Sequence, residues 1–159
     1  MDPTRVSSKQ FFKTIQLIFG AFLFGQLIFL GISILLVIGA DINIGMEEAT
    51  YPLLAIIAIL SINAIVTGKI MFTKRLLTAK TKTNLDEKVT DYMSGAIIRF
   101  AFFEGVSLFS IICYLLTSNW LFLAVVTLMI VIFISLRPNK EKIIAELELN
   151  YDEIANIEQ

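Results

Sequence analysis

The sequence predicts an all-α integral membrane protein, built as a four-helix bundle of two helical hairpins with a C-terminal cytoplasmic amphipathic helix. Of its 159 residues, 57% are hydrophobic and 17% are charged, which is too apolar for a soluble domain of this length. The apolar residues are gathered in four long runs. Lys and Arg are missing from two of the three segments between these runs, a bias typical of multi-pass membrane proteins.

The four apolar runs predict membrane spans at about 15–38, 51–71, 94–116 and 120–136. The first run is about 24 residues long, whereas the apolar core of a signal peptide has ~7–15. At ~1.5 Å per residue it exceeds a ~30 Å hydrocarbon core. The fourth run, about 17 residues ending before Pro138, is at the short limit. Residues 1–137 are therefore predicted to form the membrane domain, and 138–159 a separate C-terminal helix.

The distribution of basic residues predicts the orientation. Three precede the first run, six lie between the second and third runs, and three follow the fourth; Arg99 completes the total of 13. The segments 39–50 and 117–119 contain none. Because basic segments stay in the cytoplasm, we expect both termini there, in a bacterial inner membrane.

The segment between the second and third runs is basic but keeps a helical pattern. Phe72, Leu76 and Leu77 continue an apolar stripe past the predicted span. Asn84, followed by Glu87 three residues later, is typical of a helix start. We expect the second and third helices to project beyond the bilayer as an antiparallel hairpin; a disordered basic loop is the alternative.

The C-terminal segment has the pattern of an amphipathic helix. Ile143, Leu147, Tyr151 and Ile154 form one helical stripe, opposite acidic residues. Helices that bind anionic membranes are rich in Lys and Arg. We therefore expect this helix in water, packed on its own hairpin or on a partner.

Parts of the first and third runs resemble each other. A shift of 80 residues places Ala21 on Ala101 and Gly25 on Gly105. The chain would then be two related hairpins in one orientation, a parallel repeat. The alternative is chance similarity between apolar helices.

Several classes of function lack their usual residues. The sequence has no His, so the commonest general base and metal ligand is missing. A single cysteine, Cys113, cannot form a thiolate metal cluster. The net charge of −1 gives no general attraction to nucleic acid. We expect no enzymatic activity, no cofactor, no metal and no nucleic-acid partner.

Glu104 is the carboxylate that lies deep in an apolar run. Burying it uncompensated is costly, so it is either neutral or held by hydrogen-bond donors. Gln26 and Asn63 fall at a similar depth, which predicts an ion- or proton-binding network of these three residues near the membrane midplane. Structural reinforcement of the bundle is the alternative role.

Small residues predict the helix contacts: Ala21, Gly25, Ala64, Gly68, Ala101 and Gly105.

The stretch from Ala101 to Phe109, with Glu104 near its centre, resembles the carboxylate helix of the c subunit (proteolipid) of rotary ATPases. The resemblance implies that Glu104 carries a proton and that the segment 69–91 stands for the family's polar loop. The chain departs from the family in lacking its dense glycine repeat in the first run. As a whole, it resembles the small uncharacterised four-helix inner-membrane proteins of bacteria.

Two functions remain open on these grounds. The first is an accessory or interaction subunit of a membrane complex, without catalysis of its own. The second is a proton- or ion-coupled transport component that uses Glu104. The expected partners are the lipid bilayer and either further copies of the chain or a larger membrane complex.

Overall fold

The computed structural model describes residues 10–39 and 46–158, with side chains to residue 155. The predicted basic N-terminal segment 1–9 and the loop residues 40–45 lie outside the described residues. The described residues form six α-helices and no strand, which confirms the all-α class. The helices are α1 (Phe11–Gly39), α2 (Thr50–Lys80), α3 (Leu85–Thr117), α4 (Trp120–Ser135), α5 (Lys140–Leu147) and α6 (Tyr151–Glu158).

Three to four of these elements could cross a membrane. α1, α2 and α3 are each long and apolar enough to span on their own. α4 has 16 residues and a length of ~24 Å, shorter than a ~30 Å hydrocarbon core. It counts as a span only together with α5, which follows after a bend of 68°. The chain therefore has the elements of a multi-pass membrane protein.

α3 is the central helix of the fold. It packs against α2 on one side and against α1 and α4 on others, and 44% of its apolar window is buried, compared with 11% for α1 and 17% for α2. α1 packs on α3 and α4 but hardly at all on α2. The first of the two predicted hairpins is thus not a packed pair, and the exposed apolar faces of α1 and α2 suit a lipid environment.

The segment between the second and third spans is helical, so the alternative of a disordered loop is wrong. α2 continues to Lys80 and α3 begins at Leu85. Asn84 caps α3, because its Oδ1 accepts a hydrogen bond from the backbone N–H of Asp86 at 2.9 Å. With 31 and 33 residues, the two helices are ~46 and ~50 Å long, so their paired ends extend beyond a ~30 Å apolar layer.

Small residues allow α2 and α3 to pack closely. Ala64 and Gly68 are buried, and a Cβ at Gly68 would lie 3.5 Å from Cγ of Arg99. Among the described glycines, the tightest contact is at Gly95, which the sequence pattern did not single out. A Cβ there would lie 2.8 Å from Cβ of Arg75, so the helix backbones can meet only if this residue is glycine.

Three other predicted packing residues, Ala21, Ala101 and Gly105, are exposed. A Cβ at Gly105 would have no heavy atom within 4 Å. These three positions therefore lie on the surface of the chain and do not form a close helix contact, unlike Gly95.

The turn predicted at 117–119 joins α3 to α4. Ser118 adopts a left-handed conformation with φ of 52°, and its N–H donates to the carbonyl of Tyr114 at 2.8 Å. Asn119 then caps α4 by accepting from the N–H of Leu121 at 3.0 Å. α4 consequently reverses direction and returns along α3.

The C-terminal segment contains two short helices where the apolar stripe predicted one. The chain breaks at Glu148, whose φ is 53°. Asn150 and Glu153 then form a reciprocal capping box, with N–H···O distances of 2.8 and 3.0 Å. The break places Leu149 in the core and leaves Tyr151 93% exposed, so Tyr151 does not belong to the buried stripe.

Candidate functional site

Glu104 lies on α3 facing α1. Its side chain is partly buried, and its Oε1 is 3.8 Å from the point where a Cβ at Gly25 would stand. The missing side chain at Gly25 therefore lets the carboxylate approach the backbone of α1. No hydrogen bond or ion pair of the described residues includes the Glu104 carboxylate.

Gln26 follows Gly25 on α1 and is fully buried. It shares a helix face with Leu23 and Leu30, which pack against α3 and α4. Neither its Nε2 nor its Oε1 has a hydrogen-bond partner among the residues the structure describes. A buried amide without partners costs ~1–3 kcal/mol, so Gln26 is an unusual residue at this interface.

Asn63 lies on α2, which packs on the opposite side of α3 from α1. It lines an open groove of about 220 Å³ between α2 and α3, together with Ala101 and Gly105. Its Oδ1 accepts a hydrogen bond from Thr67 at 3.1 Å. The hydrogen bonds of the described residues thus do not join Glu104, Gln26 and Asn63, and the midplane network stays a prediction.

A second polar region lies where the α2–α3 hairpin meets the C-terminal helices. Lys88 Nζ is 2.6 Å from Glu153 Oε1, with only 13% and 14% of the two side chains exposed. The hydroxyl of Tyr92 donates to Glu146 Oε2 at 2.7 Å. We call this region, the hairpin end 72–93 with α5 and α6, the hairpin–tail unit.

Apolar side chains support the same docking. Ile143, Leu147 and Leu149 are buried in the main core. A more exposed ion pair, Lys80 with Glu148 at 2.5 Å, lies at the break between α5 and α6. Of the two expected arrangements, packing on the chain's own hairpin or on a partner, the described residues show the first, and the tail is two helices rather than one.

The surroundings of Glu153 favour its charged form. Burial raises its pKa, but the hydrogen bond from Lys88, the backbone N–H of Asn150 and the charge of Lys88 outweigh burial, so its pKa lies below the ordinary value of 4.5. The pKa of Glu148 is also lowered, first by its hydrogen bond and then by the charge of Lys80. Both carboxylates are ionised at neutral pH, which keeps the tail docked.

The inner end of the hairpin–tail unit is rich in aromatic rings and cations. The rings of Phe11 and Phe72 lie against Tyr92, with centroid distances of 6.0 and 5.3 Å. The guanidinium of Arg99 lies 5.5 Å from the centroid of Phe72, close enough for a cation–π interaction. Its Nε is buried and has no hydrogen-bond partner among the described residues.

The described ranges contain no group of three or more His, Cys, Asp or Glu side chains that could hold a metal ion. Cys113 is fully buried in the core. What these two polar regions can do chemically is bind or exchange a proton at Glu104 and hold a folded surface outside the apolar layer.

Sequence reasoning missed the residues that dock the tail, namely Lys88, Tyr92, Glu146 and Glu153. Part of the signal was present, since the spacing of Asn150 and Glu153 repeats that of Asn84 and Glu87. Tyr92 and Glu146 are 54 residues apart in sequence, and Lys88 and Glu153 are 65 apart, so helical periodicity cannot reveal either pair.

No protein-family model, curated protein or solved structure matches this chain.

Proposed function

We propose that this protein is a small four-span membrane protein that works as an interaction subunit of a larger membrane assembly. The observation that carries the proposal is the hairpin–tail unit. A chain that needed only to span the bilayer would not require a tail held by the mostly buried Lys88–Glu153 pair and the Tyr92–Glu146 hydrogen bond. This unit is a preformed surface, and preformed surfaces bind at a lower entropic cost.

The packing supports a fourth span. α5 packs on α2, and Lys80 pairs with Glu148, so the end of α4 lies at the hairpin end of the fold. α4 must therefore return along α3 through the same apolar layer. Its 16 residues fit if the layer is locally thin or if the flanking residues reach the interface.

The same packing supports termini on one side of the membrane. The ring of Phe11, at the start of α1, lies against Tyr92 of the hairpin. The docked tail lies there as well. Six basic residues lie in the region of this hairpin, and under the positive-inside rule they support a cytoplasmic location for that side, in the bacterial inner membrane that we propose.

Detaching the tail tests the interaction role. Lys88→Glu places like charges together at a mostly buried site and should release α6. We expect this variant to lose co-migration with its assembly on native gels of solubilised membranes. Lys88→Arg, which keeps the charge, and Lys13→Glu, at an exposed site on α1 outside the hairpin–tail unit, should retain it. An assembly of unchanged size with Lys88→Glu would contradict the proposal.

A second function is favoured by one observation in the middle of the membrane layer. The Glu104 carboxylate rests against α1 at Gly25, beside the unpartnered amide of Gln26. An intramembrane acid next to a buried polar group is a feature of proton or ion paths. The alternative proposal is therefore proton- or ion-coupled transport through Glu104.

Flux measurements separate the two functions. Full-length protein in sealed vesicles should lose proton flux with Glu104→Gln while its folding yield stays unchanged, if transport is the function. Glu141→Gln, at an exposed acid on α5, is the matched control. Equal flux for wild type, both variants and empty vesicles would exclude transport.

A further inference from the structure

A small cavity lies where α1, α2, α3, α5 and the end of α4 meet. Its volume is about 20 Å³, enough for one water-sized group. Apolar side chains form part of its lining, among them Ile15, Phe100 and Leu136. Its polar side chains are Tyr92, Arg99, Arg137, Lys142 and Glu146.

The charges around this cavity are unbalanced. Three cations, Arg99, Arg137 and Lys142, face one carboxylate, that of Glu146. This carboxylate already accepts the hydrogen bond from Tyr92. None of the ion pairs of the described residues includes any of the three cations. Within the part of the chain the structure describes, the cavity therefore has an excess of hydrogen-bond donors and of positive charge.

The cavity also lies at the edge of the apolar layer. Arg137 and Pro138 follow Leu136, the residue that caps the end of α4. Both residues also line a neighbouring open groove of about 380 Å³, together with Gln16 and Asn139. Because the cavity and the groove share Arg137 and Pro138, a molecule in the groove would lie directly beside the small cavity.

We propose that this cavity and groove bind a phosphate oxyanion carried by the headgroup of an anionic phospholipid. One phosphate oxygen has the size of the group the cavity accepts, and the groove takes the remainder of the headgroup. The guanidinium groups of Arg99 and Arg137 and the ammonium of Lys142 supply donors suited to phosphate. Basic pockets between transmembrane helices on the cytoplasmic side are a known form of acidic-lipid recognition.

The lipid source is favoured over a free ion by position. Ile15, Phe100 and Leu136 line the cavity beside the three cations, close to the start of the apolar helix α1 and the end of the apolar helix α4. A lipid brings its phosphate to this depth through its acyl chains. Binding would link the tail helix α5, through Lys142, to the composition of the surrounding membrane.

The test uses the full chain in a mild neutral detergent. Binding of dioctanoyl phosphatidylglycerol is measured by native mass spectrometry and calorimetry, beside dioctanoyl phosphatidylcholine and inorganic phosphate. Arg137 and Lys142 are both exposed, so Arg137→Gln and Lys142→Gln should fold normally. Each should weaken phosphatidylglycerol binding about fivefold, which corresponds to ~1 kcal/mol per basic residue. Lys74→Gln removes an exposed positive charge elsewhere on α2 and should leave the affinity unchanged.

Three results would overturn the proposal. Equal affinity for the zwitterionic and anionic lipids would show that no phosphate site selects charge. Equal losses in Lys74→Gln and Arg137→Gln would show a general surface effect. Inorganic phosphate that binds as tightly as the lipid, with the same dependence on Arg137, would assign the site to a free oxyanion instead. Selective binding of the anionic lipid with loss only in the two cavity variants supports it.

Discussion

The hairpin–tail unit and the middle of the membrane layer differ in whether their polar side chains have partners. In the first, Lys88 is paired with Glu153 at 2.6 Å and Tyr92 with Glu146 at 2.7 Å. In the second, neither Glu104 nor the buried amide of Gln26 has a hydrogen-bond partner among the described residues. The hairpin–tail unit is specified by polar pairs, so its polar residues should matter for stability.

The middle layer is held by apolar packing instead. Ile111, Val126 and Ile130 pack there against Leu23 and Leu30, and towards the hairpin end of the layer Phe19 stacks on Phe133 with a centroid distance of 4.8 Å. Contacts of this kind do not depend on charge or pH. Polar residues in the middle layer, such as Glu104, should therefore contribute little to stability.

The largest loss of stability is expected in the contact between α2 and α3, which runs through both regions. Gly95→Leu introduces a side chain whose Cβ would lie 2.8 Å from Cβ of Arg75. Arg75 Cβ is fixed by the backbone, so the helices must separate, at a cost of about 3 kcal/mol. Thermal unfolding in detergent, followed by labelling of the buried Cys113 thiol, measures the loss.

Gly105→Leu is the matched control on the same helix. A Cβ at Gly105 meets no heavy atom within 4 Å, so this variant should unfold near the wild-type temperature. Equal destabilisation by the two variants would mean that α2 and α3 do not approach each other at Gly95.

The next effect tests the polar pairing of the hairpin–tail unit. Lys88→Met leaves the Glu153 carboxylate mostly buried without its cation, and we expect α6 docking to weaken by about 2 kcal/mol. Hydrogen exchange of the α6 amides measures this locally. Lys80→Met breaks the more exposed pair with Glu148 and should cost ~0–1 kcal/mol. A larger effect at Lys80 than at Lys88 would show that the exposed pair, and not the mostly buried one, holds the tail.

A smaller loss of stability is expected when the hydroxyl oxygen of Tyr92 is removed. Tyr92→Phe removes the hydrogen bond to Glu146 and keeps the ring that contacts Phe11 and Phe72. A hydrogen bond to a charged group contributes ~1.5–3 kcal/mol, and partial exposure of Glu146 favours the lower end. Exchange of the α5 amides should accelerate about tenfold, while that of α1 stays unchanged. Uniform acceleration in both helices would instead indicate global destabilisation.

Acid should loosen the tail by a modest amount. The pKa of Glu153 is lowered in the folded state, so its contribution to docking is complete above the ordinary value of 4.5 and is lost as the pH falls through the lower, folded pKa. Limited proteolysis of the 149–158 segment should be slow at pH 7 and faster near pH 3. Glu153→Gln should remove most of this pH dependence; an unchanged profile in that variant would mean that another group controls docking.

The contrast between the two regions also explains which features the sequence could predict. Apolar runs and their lengths predicted the helices, and Asn84 predicted the start of α3, because both signals are local. Gly95 escaped notice because a contact glycine is visible only once the facing residue, Arg75, is known. Likewise, the docking of Glu153 on Lys88 joins residues 65 apart, which no local periodicity encodes.

The smallest effect should come from Glu104 itself. Glu104→Gln keeps the volume and removes the charge of a side chain that makes no hydrogen bond or ion pair with the described residues. We expect the unfolding temperature to stay near that of the wild type, a change of about 0.5 kcal/mol or less. The identical substitution Glu153→Gln breaks the pair with Lys88 and should lower the stability of the tail measurably. If Glu104→Gln instead destabilised the fold by more than about 1 kcal/mol, Glu104 would be a structural residue, and the contrast between the two regions would fail.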